Sequence, residues 1–411
     1  MSGEEINAYV SDLSRQFIAA REAAMEAAGG QQDVPFWVGE RRTGLTPTLP
    51  LELLRKIADL TLLPPKINTN PLPEFDDDRP GMNYAMTLGI ERTPGGRLWN
   101  GWVAGGDGPA SFIVAATSDD GGETWSKPRL VVNSHIPDFM GRDSRGRGIP
   151  LHITTIVGNF WADPLGRLWF FFDQTQSWRD GRHGLWAAIC ENPDADEPVW
   201  SEPVRLWYGT MLNKPTVMTN GEWWLPVYIM AQTVGANHMQ RGTHDALVPQ
   251  RGARVLVSAD QGRTWELRGR VLFPNSSWDE HMFVELKDGR VWMLARTERV
   301  VMQSFSSDGG RTWTEPDLPT FVHPRARFHI RRLASGRILL IKHGKTIDRF
   351  PAPPADRTDL TAWLSEDEGQ TWFGGLMLDD REKISYPDAI QMPDGSIVAT
   401  YDRERSPLGE I

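Results

Sequence analysis

Ser258-Ala-Asp-Gln-Gly-Arg-Thr-Trp265 is one of four copies of a single phrase. Ser118-Asp-Asp-Gly-Gly-Glu-Thr-Trp125, Ser306-Ser-Asp-Gly-Gly-Arg-Thr-Trp313 and Ser365-Glu-Asp-Glu-Gly-Gln-Thr-Trp372 repeat it in the form S-x-D-x-G-x-T-W. A phrase that returns at long intervals marks a fold built from copies of one supersecondary unit. Each residue type has a local task. The Asp side chain can bond backbone N–H groups of its own turn. The Gly permits positive φ. The Trp is expected to leave the turn as the first buried residue of the next strand. The phrase therefore predicts a hairpin turn rather than an active site.

A second repeat counts the units. A turn followed by an apolar run occurs at Pro94-Gly-Gly-Arg-Leu-Trp99, Pro164-Leu-Gly-Arg-Leu-Trp169, Thr219-Asn-Gly-Glu-Trp-Trp224, Lys287-Asp-Gly-Arg-Val-Trp292, Ala334-Ser-Gly-Arg-Ile-Leu339 and Pro393-Asp-Gly-Ser-Ile-Val398. Asp-Gly and Asn-Gly between apolar runs are hairpin signals. The anchor glycines, Gly96, Gly166, Gly221, Gly289, Gly336 and Gly395, stand 70, 55, 68, 47 and 59 residues apart. Asn192 to Pro203, ending in Trp-Ser-Glu-Pro, reads as a decayed fifth copy of the first phrase. Units of this length, with about four short strands each, predict an all-β, six-bladed β-propeller. The uneven spacing places long loops on one face, where function concentrates.

Residues 1–75 differ in kind and are expected to form a helical arm and linker, with the propeller over 76–411. Glu4 to Ala28 has helix-forming composition and stops at Gly29-Gly30. Ile6, Val10, Leu13, Phe17 and Ile18 recur on one apolar face, expected to pack on the propeller or on a second subunit as an oligomer contact. Leu51 to Leu60 predicts a second short helix before Pro64-Pro65. No Asp-bearing phrase follows Gly395. The last sheet is therefore expected either to be cut short or to be completed by a strand such as Val34 to Val38.

Composition narrows the function. The net charge of −10 and the lack of a basic run argue against a nucleic-acid partner. Cys190 is the single cysteine, so no internal disulfide and no cysteine-rich metal site can form. The histidines show no short metal-binding spacing, and no cofactor is expected. No apolar run approaches about 18 residues, so no membrane span is expected. The start, Met-Ser-Gly-Glu-Glu-Ile-Asn, shows neither a basic n-region nor an apolar h-region, which predicts a cytoplasmic protein.

Equal offsets from the Gly turns mark equivalent places on successive blades. Nine residues before Gly289, Gly336 and Gly395 stand Glu280, Arg327 and Tyr386. Seven residues after them stand Arg296, His343 and Asp402, with Asp173 at the matching place in the second unit. Polar residues where a strand should be apolar suggest a cleft, to which His152 is added as a further candidate.

At these residues the chain resembles the sialidase (neuraminidase) superfamily, over roughly Met82 to Arg405. The resemblance rests on the four Asp-boxes, on Asp279-Glu-His-Met-Phe-Val-Glu-Leu-Lys-Asp-Gly-Arg-Val-Trp-Met-Leu-Ala-Arg-Thr297 and on Ser385-Tyr-Pro-Asp-Ala-Ile-Gln-Met-Pro-Asp-Gly395. It implies that Glu280 and Arg296 are the fourth-blade pair, that Tyr386 is the nucleophile, and that Arg357, in Arg-Thr-Asp-Leu-Thr-Ala-Trp-Leu-Ser365, is a second arginine for a substrate carboxylate. Arg327 is counted with these carboxylate-binding candidates. The chemistry is coherent. Guanidinium groups bind a planar carboxylate through paired hydrogen bonds. A neutral phenol avoids the repulsion that an anionic sugar would exert on a carboxylate nucleophile, and a nearby Glu can take its proton. Asp107, in Gly105-Gly-Asp-Gly-Pro109, is the candidate acid/base.

The chain departs from that family at blade one, where an Arg-Ile-Pro motif is replaced by Met82-Asn-Tyr-Ala-Met-Thr87. The insertion Asp138 to His152, with Arg142, Arg145 and Arg147, is a possible source of another cation. Three classes of function stay open. They are an exo-acting, sialidase-like glycoside hydrolase on an acidic oligosaccharide or glycoconjugate, a lyase or rhamnosidase-like enzyme on uronic-acid glycans, and a non-catalytic glycan-binding propeller.

Overall fold

The computed structural model describes residues 3–27, 50–72, 75, 82–108, 110–134, 153–176, 184–229, 245–276, 278–348 and 357–405. Blade 1 comprises β1 (Lys66–Asn68), β2 (Met86–Arg92), β3 (Leu98–Ala104), β4 (Phe112–Ser118) and β5 (Leu130–Asn133), in the order β1-β5-β4-β3-β2. Blade 2 comprises β6 (Ile153–Ala162), β7 (Leu168–Gln176), β8 (Gly184–Cys190) and β9 (Val204–Tyr208). Blade 3 holds β10 (Thr216–Val217), β11 (Trp223–Ile229), β12 (Gly252–Ser258) and β13 (Glu266–Val271). Blade 4 is three-stranded, with β14 (Met282–Glu285), β15 (Val291–Arg296) and β16 (Val301–Ser306). Blade 5 holds β17 (His329–Arg332), β18 (Ile338–His343), β19 (Thr358–Ser365) and β20 (Phe373–Glu382). Strands β21 (Ile384–Gln391) and β22 (Ile397–Arg403) form a two-stranded ribbon.

The expectation of six blades is thereby corrected to five blades and a ribbon among the described residues. Each of the six Gly turns does join two strands of a separate sheet. What the turn count missed is that an Asp-box, or its decayed copy, leads from the third strand of a blade outward. No such phrase follows Gly395, and among the described residues the sixth hairpin has no outer strands. The ribbon instead closes the ring against blade 1, where Thr87 N donates to Asp402 Oδ2 at 3.1 Å and Ile90 N to Asp388 Oδ2 at 3.0 Å.

The two repeats interlock. In each Asp-box the Ser hydroxyl donates to the Asp carboxylate and accepts the Gly N–H, as Ser258 does with Asp260 (2.9 Å) and Gly262 (2.8 Å). The same Asp then accepts the Thr N–H, Thr264 to Asp260 at 2.8 Å. A Cβ on Gly262, Gly310 or Gly369 would meet Trp169, Trp224 or Trp292 at 2.7, 2.7 or 2.6 Å. Those tryptophans are the last residues of the second repeat in the preceding blade. The decayed copy does the same for blade 1, since Trp99 Nε1 donates to Pro193 O at 3.3 Å and Trp99 packs edge-on to Trp200. The Asp-box tryptophans themselves are only partly covered, and Trp125 is 40% exposed, which corrects the expectation that they would be buried. They cap the rim, whereas Trp99, Trp161, Trp223 and Trp224 fill the core. Phe160 stacks on Phe170 at 4.1 Å. Such a pair contributes about 0.5–1.5 kcal/mol beyond its burial.

Helices α1 (Gly3–Ala27) and α2 (Leu51–Asp59) precede the propeller. Ile6 and Leu13 are buried, but Ile18 is 49% exposed and lies off the packed face. After α2, Gln174 of β7 donates to Leu63 O at 2.6 Å and to Thr61 O at 3.2 Å, which ties the turn after this helix to blade 2. Strand β1 lies before residue 76 yet pairs with β5 of blade 1. The expected strand at Val34 to Val38 lies outside the described residues. No described helix is long and apolar enough to cross a membrane.

Candidate active site

The cleft is built by strands that break their own regularity. Val157 on β6 (φ 50°) and Tyr386 on β21 (φ 53°) sit at register shifts, and Glu280 just before β14 has φ 37°. A bulge re-aims a side chain. A non-glycine residue held at positive φ costs about 1–3 kcal/mol and persists only where its surroundings over-determine it. All three residues line one cleft of about 220 Å³.

Tyr386 Oη donates to Glu280 Oε1 at 3.0 Å. Arg296, at the end of β15, holds both Glu280 oxygens at 2.8 Å. Its backbone N donates to Asp279 O at 2.8 Å, so one loop positions both members of the pair. Burial works against the charge on Arg296, but Glu280 and Tyr386 together outweigh it and hold the guanidinium above its usual range. Burial also pushes the Tyr386 phenol up, with Glu280 adding to it and Arg296 opposing. The phenol is thus neutral and the adjoining carboxylate is placed to take its proton. Asp279, fully buried, is pushed up to about 7 by burial, against the pull of its Ser276 hydrogen bond.

Arg357, preceding β19, donates to the Ser385 hydroxyl and lies 5.9 Å from the Tyr386 ring centroid. Asp107 and Asp173 line the same cleft, with Asp107 exposed at its mouth and Asp173 buried. Six sequence candidates therefore meet there: Tyr386, Glu280, Asp107, Arg296, Arg357 and Asp173.

Three others do not line it. Arg327 is 1% exposed and donates to Asn213 Oδ1 (2.6 Å), Leu88 O (3.0 Å) and Leu212 O (3.1 Å). A buried guanidinium is tolerated only when its donors are satisfied, and here they tie the segment before β17 to β2 and to the segment before β10. His343 is buried on the second strand of blade 5, stacked on His323 at 5.5 Å. Asp402 is buried behind the cleft and bonds Arg405 Nε at 2.8 Å. Equal offset guarantees an equal strand position but not an equal facing, because bulges shift the alternation. His152 and the arginines of the 138–152 insertion lie outside the described residues.

Sequence reasoning missed Arg405, Arg325 and Trp278, which also line the cleft. Arg325 is paired with Glu298 at 2.9 Å. Arg405 lies 4.3 Å from the Tyr386 ring centroid, nearer than Arg357. Its one sequence signal was the i,i+3 spacing from Asp402, which has no meaning until the ribbon closes. Among the described residues, no group of three or more His, Cys, Asp or Glu side chains is placed to hold a metal ion.

A ring of antiparallel blades with a phenol–carboxylate pair in an arginine-lined cleft defines an Asp-box propeller of the sialidase-like fold. The BNR repeat-like domain profile matches residues 96–398, and the chain belongs to that family. Among solved structures, Trypanosoma rangeli sialidase superposes with a TM-score of 0.55 at 16% identity, over 79% of this chain and 54% of that one. The chain thus spans about half the length of that relative. The Hadza microbial sialidase Hz136 gives 0.54 at 18% identity, over 75% and 61% of the two chains. The intramolecular trans-sialidase from Ruminococcus gnavus, in complex with oseltamivir carboxylate, gives 0.55 at 13% identity, over 80% and 92%. At such identities the likeness is one of fold. No curated protein matches the sequence.

Proposed function

We propose that the protein is an exo-acting glycoside hydrolase for a terminal sugar bearing a carboxylate. The observation that carries this reading is the 3.0 Å hydrogen bond from Tyr386 to Glu280 inside a cleft lined by arginines. In the proposed reaction Glu280 takes the phenol proton as Tyr386 Oη attacks the anomeric carbon. Asp107 protonates the departing glycosidic oxygen. Water, deprotonated by Asp107, then displaces the tyrosyl oxygen, which recovers its proton from Glu280. Arg357 and Arg296 supply the positive field for the sugar carboxylate. The names of the structural neighbours, three sialidases or trans-sialidases, favour the same class.

A lyase would place a base beside the sugar ring and leave Glu280 idle. Among the described residues no histidine lines the cleft, and Glu280 is engaged with the phenol, which favours hydrolysis. The test is a panel of aryl glycosides of N-acetylneuraminate and D-glucuronate, together with uronic-acid oligosaccharides. Aryl alcohol release, lost in Tyr386→Phe, supports the reading. New ultraviolet absorbance from a C4–C5 double bond would replace it with β-elimination.

A further inference from the structure

The ribbon that closes the ring also delivers a cation to the cleft. Asp402 on β22 is fully buried and uses its two oxygens in opposite directions. Oδ2 accepts the N–H of Thr87 on β2 at 3.1 Å, and Oδ1 accepts Arg405 Nε at 2.8 Å. Arg405 is fastened to the same segment of blade 1 through its own carbonyl, which accepts Ala85 N at 3.0 Å. Residues 402–405 are therefore pinned twice to residues 85–87, and Met86 between those pins lines the cleft. The guanidinium so held stands over the Tyr386 ring at 4.3 Å and interacts with the Tyr84 side chain, while its Nη2 is buried with no hydrogen-bond partner. Leaving a charged donor buried and unbonded is costly. Of the cleft's other arginines, Arg296 is engaged by Glu280 and Arg325 by Glu298.

We infer that Arg405 binds the acid group of the substrate and that Asp402 is its positioning residue, so that ring closure and acid recognition are one structural event. The inference rests on the acidic-sugar reading above. It adds a binding residue from the closing ribbon and ties it to a buried carboxylate. A carboxylate can meet a guanidinium through paired, charge-assisted hydrogen bonds, which a neutral ester cannot match, and the cation's fixed orientation favours a planar carboxylate over a diffuse charge.

The test is calorimetric titration of the full chain with sodium N-acetylneuraminate, sodium D-glucuronate and the methyl ester of each, with thermal unfolding of every variant measured in parallel. The wild type is expected to bind at least one acid more tightly than its ester. Arg405→Gln should weaken that acid roughly tenfold to a hundredfold, the range for a hydrogen bond to a charged group, and leave the ester unchanged. Arg405→Lys should recover part of the loss. Asp402→Asn keeps an oxygen for Thr87 N, so the ring stays closed, yet it should weaken the acid in the same direction. The double variant should be no worse than Arg405→Gln alone, because both changes remove one interaction. On a turned-over substrate the loss should fall on KM more than on kcat. Acid binding that survives Arg405→Gln, or a loss confined to kcat, overturns the inference and leaves the acidic-sugar reading standing. A wild type that prefers neither acid to its ester overturns both.

Discussion

Tyr386 and Glu280 lie 106 residues apart in the chain and share a buried 3.0 Å hydrogen bond. Each sits at positive φ on or just before an innermost strand, one in the closing ribbon and one in blade 4. Closed-ring geometry makes the contact, and the local strain at both ends is what aims the two side chains at each other.

Tyr386→Phe should abolish turnover while leaving ligand affinity and the unfolding midpoint nearly unchanged, because only the hydroxyl is lost. Single-turnover kinetics with calorimetric binding on the same sample checks this. Full activity in the phenylalanine variant would end the phenol-nucleophile mechanism.

Glu280→Gln should be destabilising as well as inactivating. Arg296 is 6% exposed at its side chain and Glu280 1%, so the change leaves a buried guanidinium without its counter-charge. Breaking such a pair from one side costs about 3–5 kcal/mol. Urea unfolding should show that loss, and Glu280→Gln with Arg296→Met should recover much of it. A single variant as stable as the wild type would mean that the pair is hydrated.

Asp279 predicts a pH dependence. Its carboxyl is held up to about 7 by burial, so between the ordinary carboxylate range and pH 7 the native state carries a proton that the unfolded chain has lost. Fewer protons on the unfolded state make stability fall as pH rises through that window. Asp279→Asn, which stays neutral, should gain stability relative to wild type on going from pH 5 to pH 8, as read by denaturant titration at both. A constant difference would show that Asp279 ionises without cost.

Arg357→Ala should weaken an acidic sugar far more than its neutral ester, because the lost group is a charge aimed at the cleft. Competition binding with each acid and its ester measures this. Equal losses for both would remove Arg357 from acid recognition.

The interlocked repeats give a packing test. Gly310 has φ 78° and its Cβ would stand 2.7 Å from Trp224, whereas Gly395 has φ 88° with nothing within 4 Å. Gly395→Ala should cost only the left-handed backbone penalty, about 1–2 kcal/mol. Gly310→Ala should add overpacking of about 1–3 kcal/mol. Thermal melts of the two variants should separate accordingly, and equal shifts would mean that the Trp224 contact yields freely.

The sequence by itself determined the turn chemistry and the presence of a propeller. Ser258, Asp260, Gly262 and Thr264 satisfy one another within seven residues, so their contacts follow from local spacing alone. Glu280, Arg296 and Tyr386 were also legible, through their offsets from the Gly turns and the family resemblance. The tertiary structure decided the rest. His343 and Arg296 share an offset, yet one stacks in the core and the other enters the cleft. Arg327 shares its offset with Glu280 and Tyr386, yet spends its donors on carbonyls and Asn213. Side chains alternate along a strand, so a single bulge or positive-φ residue reverses which face they reach, and no repeat pattern encodes that shift. Blade number and Arg405 depended on ring closure in the same way. The bond from Thr87 N to Asp402 spans 315 residues, and only the folded ring brings those two strands together.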